Sequence, residues 1–349
     1  MLDDGNVISQ RDSQGALDVA AKLYAQTAFV PALWNAEHDG RDITAIVVMG
    51  MGGSALAADM ARVLLQQDLT VPIDVVRDYT LPKYVGYNTL VIVSSHSGNT
   101  EESVACLAEA IGQHHNPQIA VTATGGELER IANQHDIMFA PMPHDTQPRM
   151  AVFYNLLSIL AIMEAFGFDT KRLIVDIRDS ADWLKSESEL WQKAVPTEQN
   201  YAKQLALIAV GKTPVFYAGP LMAPVAYKWK ISWNENAKNL AFCGTYPEFN
   251  HNEFIGWTSH PVEKPFAVFD LWSDLEHPQV QKRFKLSDKL LSGKRPKANV
   301  VQIQGDTLVQ QMLWGCVLAD FVSIYVAILN GVNPTKVDLI EKLKRELKS

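Results

Sequence analysis

Apolar residues recur along the chain in two rhythms. Short β-branched runs, TAIVVMG (44–50), IDVVRD (73–78), TLVIVSS (89–95) and QIAVTAT (118–124), read as buried strands. Between and after them, the stretches around Ala55–Leu65 and Glu101–Ile111, and ELERIANQ (127–134), space apolar residues as helices do. This alternation predicts βαβ units and a mostly parallel sheet covered by helices on both faces, with ligands at the carboxyl ends of the strands. A charge-rich but helix-like stretch runs from Lys171 to Asn200, after which TPVFYAGP, PFAVFDLW and NVVQIQG restart the pattern. TAIVVMGMGGSALAADMARVL set beside TPVFYAGPLMAPVAYKWKISW shows strand, glycine turn and amphipathic helix in each half, so a duplicated α/β domain is expected. The expected boundaries are residues 1–170 and 171–349.

Two long apolar segments, Ala151–Phe168 and Gln310–Asn330, contain Asn155, Ser158, Glu164 and Gln311, Asp320, Ser323, and read as buried or interface helices rather than membrane spans. The balance of −8 argues against nucleic acid or an anionic membrane surface as partner. Cys106, Cys243 and Cys316 are widely spaced and odd in number, suggesting neither a disulfide framework nor a structural zinc. With the acidic start MLDDGNVISQRDSQG, a reducing cytoplasm is the expected location.

The first chemical motif is Gly50-Met51-Gly52-Gly53-Ser54-Ala55, between a strand and a helix, where backbone amides can approach an anion. Alone it also satisfies a dinucleotide fingerprint, with Asp74 about 20 residues onward, so a nicotinamide oxidoreductase is an alternative. The second motif, Ser94-Ser95-His96-Ser97-Gly98-Asn99-Thr100-Glu101-Glu102, clusters hydroxyls at another strand's end. Three hydroxyls with amides suit one compact phosphate, although a single one would serve as a helix cap. GMGGSA followed by SSHSGNTEE resembles the sugar isomerase (SIS) domain of phosphosugar isomerases and regulators. That resemblance implies that Gly53, Ser54, Ser95, Ser97 and Thr100 hold a substrate phosphate. His96 departs from the bulkier tyrosine-like residue usual there.

In the second half, Trp233-Asn234-Glu235-Asn236-Ala237-Lys238 and Phe249-Asn250-His251-Asn252-Glu253 set a carboxylate and an imidazole among asparagines, a combination suited to proton transfer. These resemble the NENAK and NHNE signatures of the bifunctional phosphoglucose/phosphomannose isomerases. With Arg149 in QPRMA and the terminal LIEKLK, the resemblance covers nearly the whole chain. It implies two flavodoxin-like SIS domains in tandem and aldose–ketose isomerisation of hexose 6-phosphates through an enediolate. Glu235 would be the base, His251 would move protons in ring opening, and Arg149 would stabilise the enediolate. Lys344 would assist proton transfer, with Lys336 and Lys342 as neighbours that could take its place. No metal or cofactor is implied: His114 and His115 are consecutive and do not face one way, and His144–Asp145 lacks a supporting cluster. The resemblance also implies a homodimer in which the neighbouring subunit's histidine completes the site. Alternatives are a phosphosugar-binding sensor, or an isomerase of another phosphosugar. A glutamine-hydrolysing aminotransferase would need an N-terminal cysteine, and no cysteine precedes Cys106. The charged segment Leu271–Lys297 has no assigned role.

Overall fold

The computed structural model describes residues 1–112, 114–259 and 264–347. The chain divides into two compact units, Leu23–Asp182 and Met1–Lys22 with Trp183–Ser349. Two short helices, α1 (Gly5–Arg11) and α2 (Ala16–Ala20), open the chain.

The unit of residues 23–182 is built on a parallel five-stranded sheet of order β2-β1-β3-β4-β5, with β1 at Ala45–Met49, β2 at Ile73–Val76, β3 at Thr89–Ser94, β4 at Gln118–Ala123 and β5 at Met138–Pro141. Its helices are α3 (Gly52–Leu64), α4 (Glu101–Gly112), α5 (Gly126–Gln134), α6 (Val152–Ala165) and α7 (Lys171–Asp179). The strands read as continuous apolar runs because both faces are covered. Leu107, Leu128 and Ile131 of α4 and α5 join Val47, Val91, Val93 and Val121 in one core. α3 and α6 pack together and against β1, β4 and β5.

The other unit holds a parallel four-stranded sheet of order β7-β6-β8-β9, with β6 at Thr213–Ala218, β7 at Phe242–Thr245, β8 at Phe266–Trp272 and β9 at Asn299–Gln302. Its strand order repeats the first four strands of the other sheet, as the duplicated pattern predicts. Its helices are α8 (Ala181–Glu189), α9 (Tyr201–Ala209), α10 (Ala223–Ala237), α11 (Glu253–Gly256), α12 (Pro278–Leu290), α13 (Leu308–Asn330) and α14 (Asp338–Glu346). α10 and α13 form its spine. Gly315 lets the two approach, since a Cβ there would lie 2.5 Å from a Val225 methyl. A buried ion pair, Lys228 Nζ to Asp320 Oδ1 at 2.7 Å, joins them, with Ser232 Oγ donating to the same oxygen at 2.8 Å.

The contacts divide the chain differently from a cut at 170/171. α7 stays with the first unit because Ile174 and Ile177 are buried there. The first 22 residues join the second unit, where α1 and α2 pack on α13 and Arg11 donates to the carbonyl of Ile328 near that helix's end. Both long apolar helices are core helices of their own units. Every residue of α13 from Val309 to Ile328 except Gln310 is buried, and α6 is buried along most of its length. α13 is long and apolar enough to cross a membrane, but 94% of its apolar window is buried inside the protein.

Candidate active site

In the unit of residues 23–182, β1 and β3 are neighbours at the point where the strand order reverses, the place where doubly wound sheets bind ligands. Both predicted loops leave from these strands, which brings them side by side. The amide of His96 donates to Ser54 Oγ at 3.3 Å, and a Cβ on Gly50 would stand 3.1 Å from the Ser94 carbonyl. The α3 N-cap is Met51, whose side chain makes no cap bond, so no side-chain oxygen covers the first turn, although the Ser54 amide donates to the Met51 carbonyl at 3.0 Å. Ser54 and Ser95 are buried, with Ser97 and Thr100 half-exposed. Ser95 Oγ and Thr100 Oγ1 are 2.7 Å apart, and Ser97 Oγ accepts from the Asn99 amide at 3.2 Å.

Gly53 lies against the short 3-10 turn Pro148–Met150, where a Cβ would meet the Pro148 carbonyl at 2.8 Å and Arg149 Cα at 3.5 Å. Arg149 is thereby held beside the start of α3, and it is buried. Gln26 fixes the turn from behind, donating to the Met150 carbonyl at 2.7 Å. The candidate phosphate-binding residues and Arg149 are therefore gathered at the carboxyl ends of the central strands of one sheet.

His96 is 5% exposed and its Nε2 has no hydrogen-bond partner. Burial, helped by the neighbouring His144, lowers its pKa to about 4 against the opposing pull of Asp145. The two imidazoles are 5.9 Å apart, and His144 Nδ1 lies 3.1 Å from Thr124 Oγ1.

Asp74, the acid expected to read a ribose in the nicotinamide alternative, sits second in β2, not beyond its carboxyl end, and accepts from the Tyr84 hydroxyl. That placement removes the second half of the dinucleotide signature.

In the other unit, Glu235 stands half-buried in the last turn of α10. The residues around it hold the frame. Asn234 Oδ1 accepts from the Ala241 amide at 3.0 Å, and Asn236 donates to Ser323 Oγ at 2.9 Å. Lys238 takes a left-handed conformation (φ 50°) and its Nζ donates to the carbonyls of Glu235 at 2.8 Å and Asn333 at 2.6 Å. His251 is exposed at the end of the 3-10 turn Glu248–His251. Asn250 anchors that turn by donating to Ser287 Oγ at 2.8 Å and accepting from Arg283 at 3.2 Å. Behind it Tyr217 donates to Glu253, and Trp257 Nε1 donates to the Tyr217 hydroxyl at 3.1 Å. Lys344 is exposed on α14 and pairs with Glu341 at 2.8 Å; Lys336 and Lys342 are also exposed.

A family model described as the SIS domain matches residues 41–167, and one described as the bacterial phospho-glucose isomerase C-terminal SIS domain matches residues 198–347. The chain is 33% identical over 317 residues to a bifunctional phosphoglucose/phosphomannose isomerase of Aquifex aeolicus, covering 89% of this chain and 94% of the relative. The chain belongs to the bifunctional phosphoglucose/phosphomannose isomerase family. A second member, from Caldicellulosiruptor bescii, is 32% identical over 88% of this chain and 90% of its own. A glucose-6-phosphate isomerase like protein from Thermus thermophilus shares the fold with a TM-score of 0.65, at 18% identity, over 99% of this chain and 98% of that one.

Within this family framework, one part of the site escapes the motif reading. The turn between β4 and α5 braces the second loop. Thr124 N–H donates to the His96 carbonyl at 2.9 Å, Leu128 N–H to the Gly98 carbonyl at 2.9 Å, and Glu127 N–H to Asn99 Oδ1 at 3.1 Å. Gly98 (φ 66°) is obligatory, because a Cβ would fall 1.7 Å from the Gly125 carbonyl. The signal is the Thr-Gly-Gly at 124–126 directly after a strand, a third glycine turn at the carboxyl end of the sheet.

Proposed function

We propose that this protein interconverts fructose 6-phosphate with glucose 6-phosphate and mannose 6-phosphate by proton transfer through an enediolate. The observation that carries the reading is the pairing of the two loops at the β1/β3 reversal point, where Ser54, Ser95, Ser97, Thr100 and the α3 amides converge beside buried Arg149. Such a cradle suits a dianionic group with several oxygens.

Glu235 moves the proton between C1 and C2, and its half-buried place on a pinned helix end gives it a fixed reach. Arg149 steadies the negative oxygens of the enediolate with donors that stay charged. His251 moves the proton in ring opening, and Lys344 assists at a sugar oxygen.

The working form is a homodimer in which the neighbouring copy supplies His251. The exposure of that histidine supports this, together with exposed Ile255 near it and the apolar stripe Leu339, Ile340 and Leu343 on α14, continued by Leu347 at its C-cap. Three free cysteines support a reducing, cytoplasmic location. Proton NMR of the protein with fructose 6-phosphate tests the activity: both aldose phosphates are expected to appear. Formation of neither, with the sugar phosphate still bound, would contradict it and leave a phosphosugar-binding sensor.

A further inference from the structure

The segment Leu271–Lys297, which the motifs leave without a role, closes a second cradle. In the unit holding the four-stranded sheet, β6 and β8 are neighbours at the reversal point, as β1 and β3 are in the other. β6 runs into Gly219, the 3-10 turn Pro220–Met222 and then α10. This is the place that Gly50-Met51-Gly52-Gly53-Ser54 holds in the first unit. Here the turn carries Pro220, Leu221 and Met222 and offers no hydroxyl.

A carboxyl group stands there instead. The loop after β8 delivers Glu276, whose Oε1 accepts from the amides of Leu221 at 2.9 Å and Met222 at 3.2 Å. Glu276 is 3% exposed. Gly219 makes room for it, since a Cβ at that position would lie 2.2 Å from the Glu276 carboxyl carbon and 2.4 and 2.6 Å from its oxygens. The loop itself is fastened. Gln281 donates to the carbonyls of Asp274 at 2.9 Å and Glu276 at 2.8 Å, and Ser273 Oγ donates to Gln311 Oε1 at 2.5 Å.

We propose that the Glu276 carboxyl is the built-in acceptor of this second cradle, filling the position a ligand phosphate takes in the first, and so acts as a positioning residue for α10. The chain then takes one phosphate, through the unit of residues 23–182. Amides at the start of a helix are an anion site whether the oxygens come from a ligand or from the chain. The Glu276 carboxyl accepts from them in the ligand's place and fixes the near end of the helix whose last turn, about 20 Å along its axis, carries Glu235.

Glu276→Ala deletes atoms equivalent to one acetate ion, so acetate is the probe. In the full-length variant Tm is expected to fall by about 4 °C or more through loss of the cap. Acetate, but not chloride at equal ionic strength, should then raise Tm, with no such difference in the wild type. Identical responses to the two salts in the folded variant would overturn the proposal. If the variant does not accumulate folded, its refolding yield from urea in acetate against chloride reads the same question, and equal yields overturn it. Glu276→Gln, which keeps an acceptor for both amides, is expected to stay within about 2 °C of wild type; a fall as large as that of the alanine variant would also contradict the proposal. These readouts need no turnover, so they fail independently of the isomerase reading. The catalytic part rests on that reading: kcat for fructose 6-phosphate should fall in Glu276→Ala with KM little changed, and acetate should restore kcat.

Discussion

His96, in the second loop, is kept neutral by its surroundings. Its buried ring, facing His144, holds its pKa near 4 instead of about 6.5. An unfolded chain therefore binds a proton between these values that the folded chain does not. The resulting stability is present above pH 6.5 and is lost as pH falls towards 4, about 3 kcal/mol over the full range. His96→Gln should flatten the dependence of Tm on pH across that window; an unchanged slope would contradict the assignment. Its position in the loop was legible in the sequence as a departure from the family pattern, but its pairing with His144 was not, because 48 residues separate them. The sequence sets Glu235 between two asparagines without saying what they bond. Asn234 bonds the Ala241 amide just beyond α10, and Asn236 bonds Ser323 of α13, a contact that only the folded α10–α13 pair creates.

At the level of elements, β-branched runs and glycine turns placed the sheets well: the first strand was read in TAIVVMG and lies at Ala45–Met49, and the helix read at Ala55–Leu65 spans Gly52–Leu64. The fates of the two long apolar helices were harder to read, since a helix buried all round has no amphipathic stripe to mark its neighbours. Asp320, an oddity in the apolar sequence of α13, is explained by Lys228 of α10. Removing one charge leaves the other buried and unpaired, which costs about 3–5 kcal/mol. Lys228→Met should therefore lower Tm by roughly 10 °C, and Lys228→Met with Asp320→Leu should recover most of it. A single variant as stable as wild type would remove the pair from the spine of its unit.

For the whole molecule, local pattern gave the duplication of the sheet but not where the chain divides, because the packing of residues 1–22 on α13 is a long-range choice of apolar faces. Assembly is where the proposed chemistry has its largest consequence. Mixing unfolded Glu235→Gln and His251→Gln chains and refolding them together should return about a quarter of wild-type activity if each site takes its histidine from the neighbouring copy, since half the pairs are mixed and each holds one intact site. No recovery would place both groups on one chain. The most direct test of the isomerase itself is deuterium exchange, followed by NMR, when fructose 6-phosphate is incubated with the protein in D2O. Loss of one C1 proton signal in wild type, slowed by about 10²–10⁴ in a folded Glu235→Gln, is the expected result. Exchange that continues at the wild-type rate in Glu235→Gln would show that the proton moves through another group.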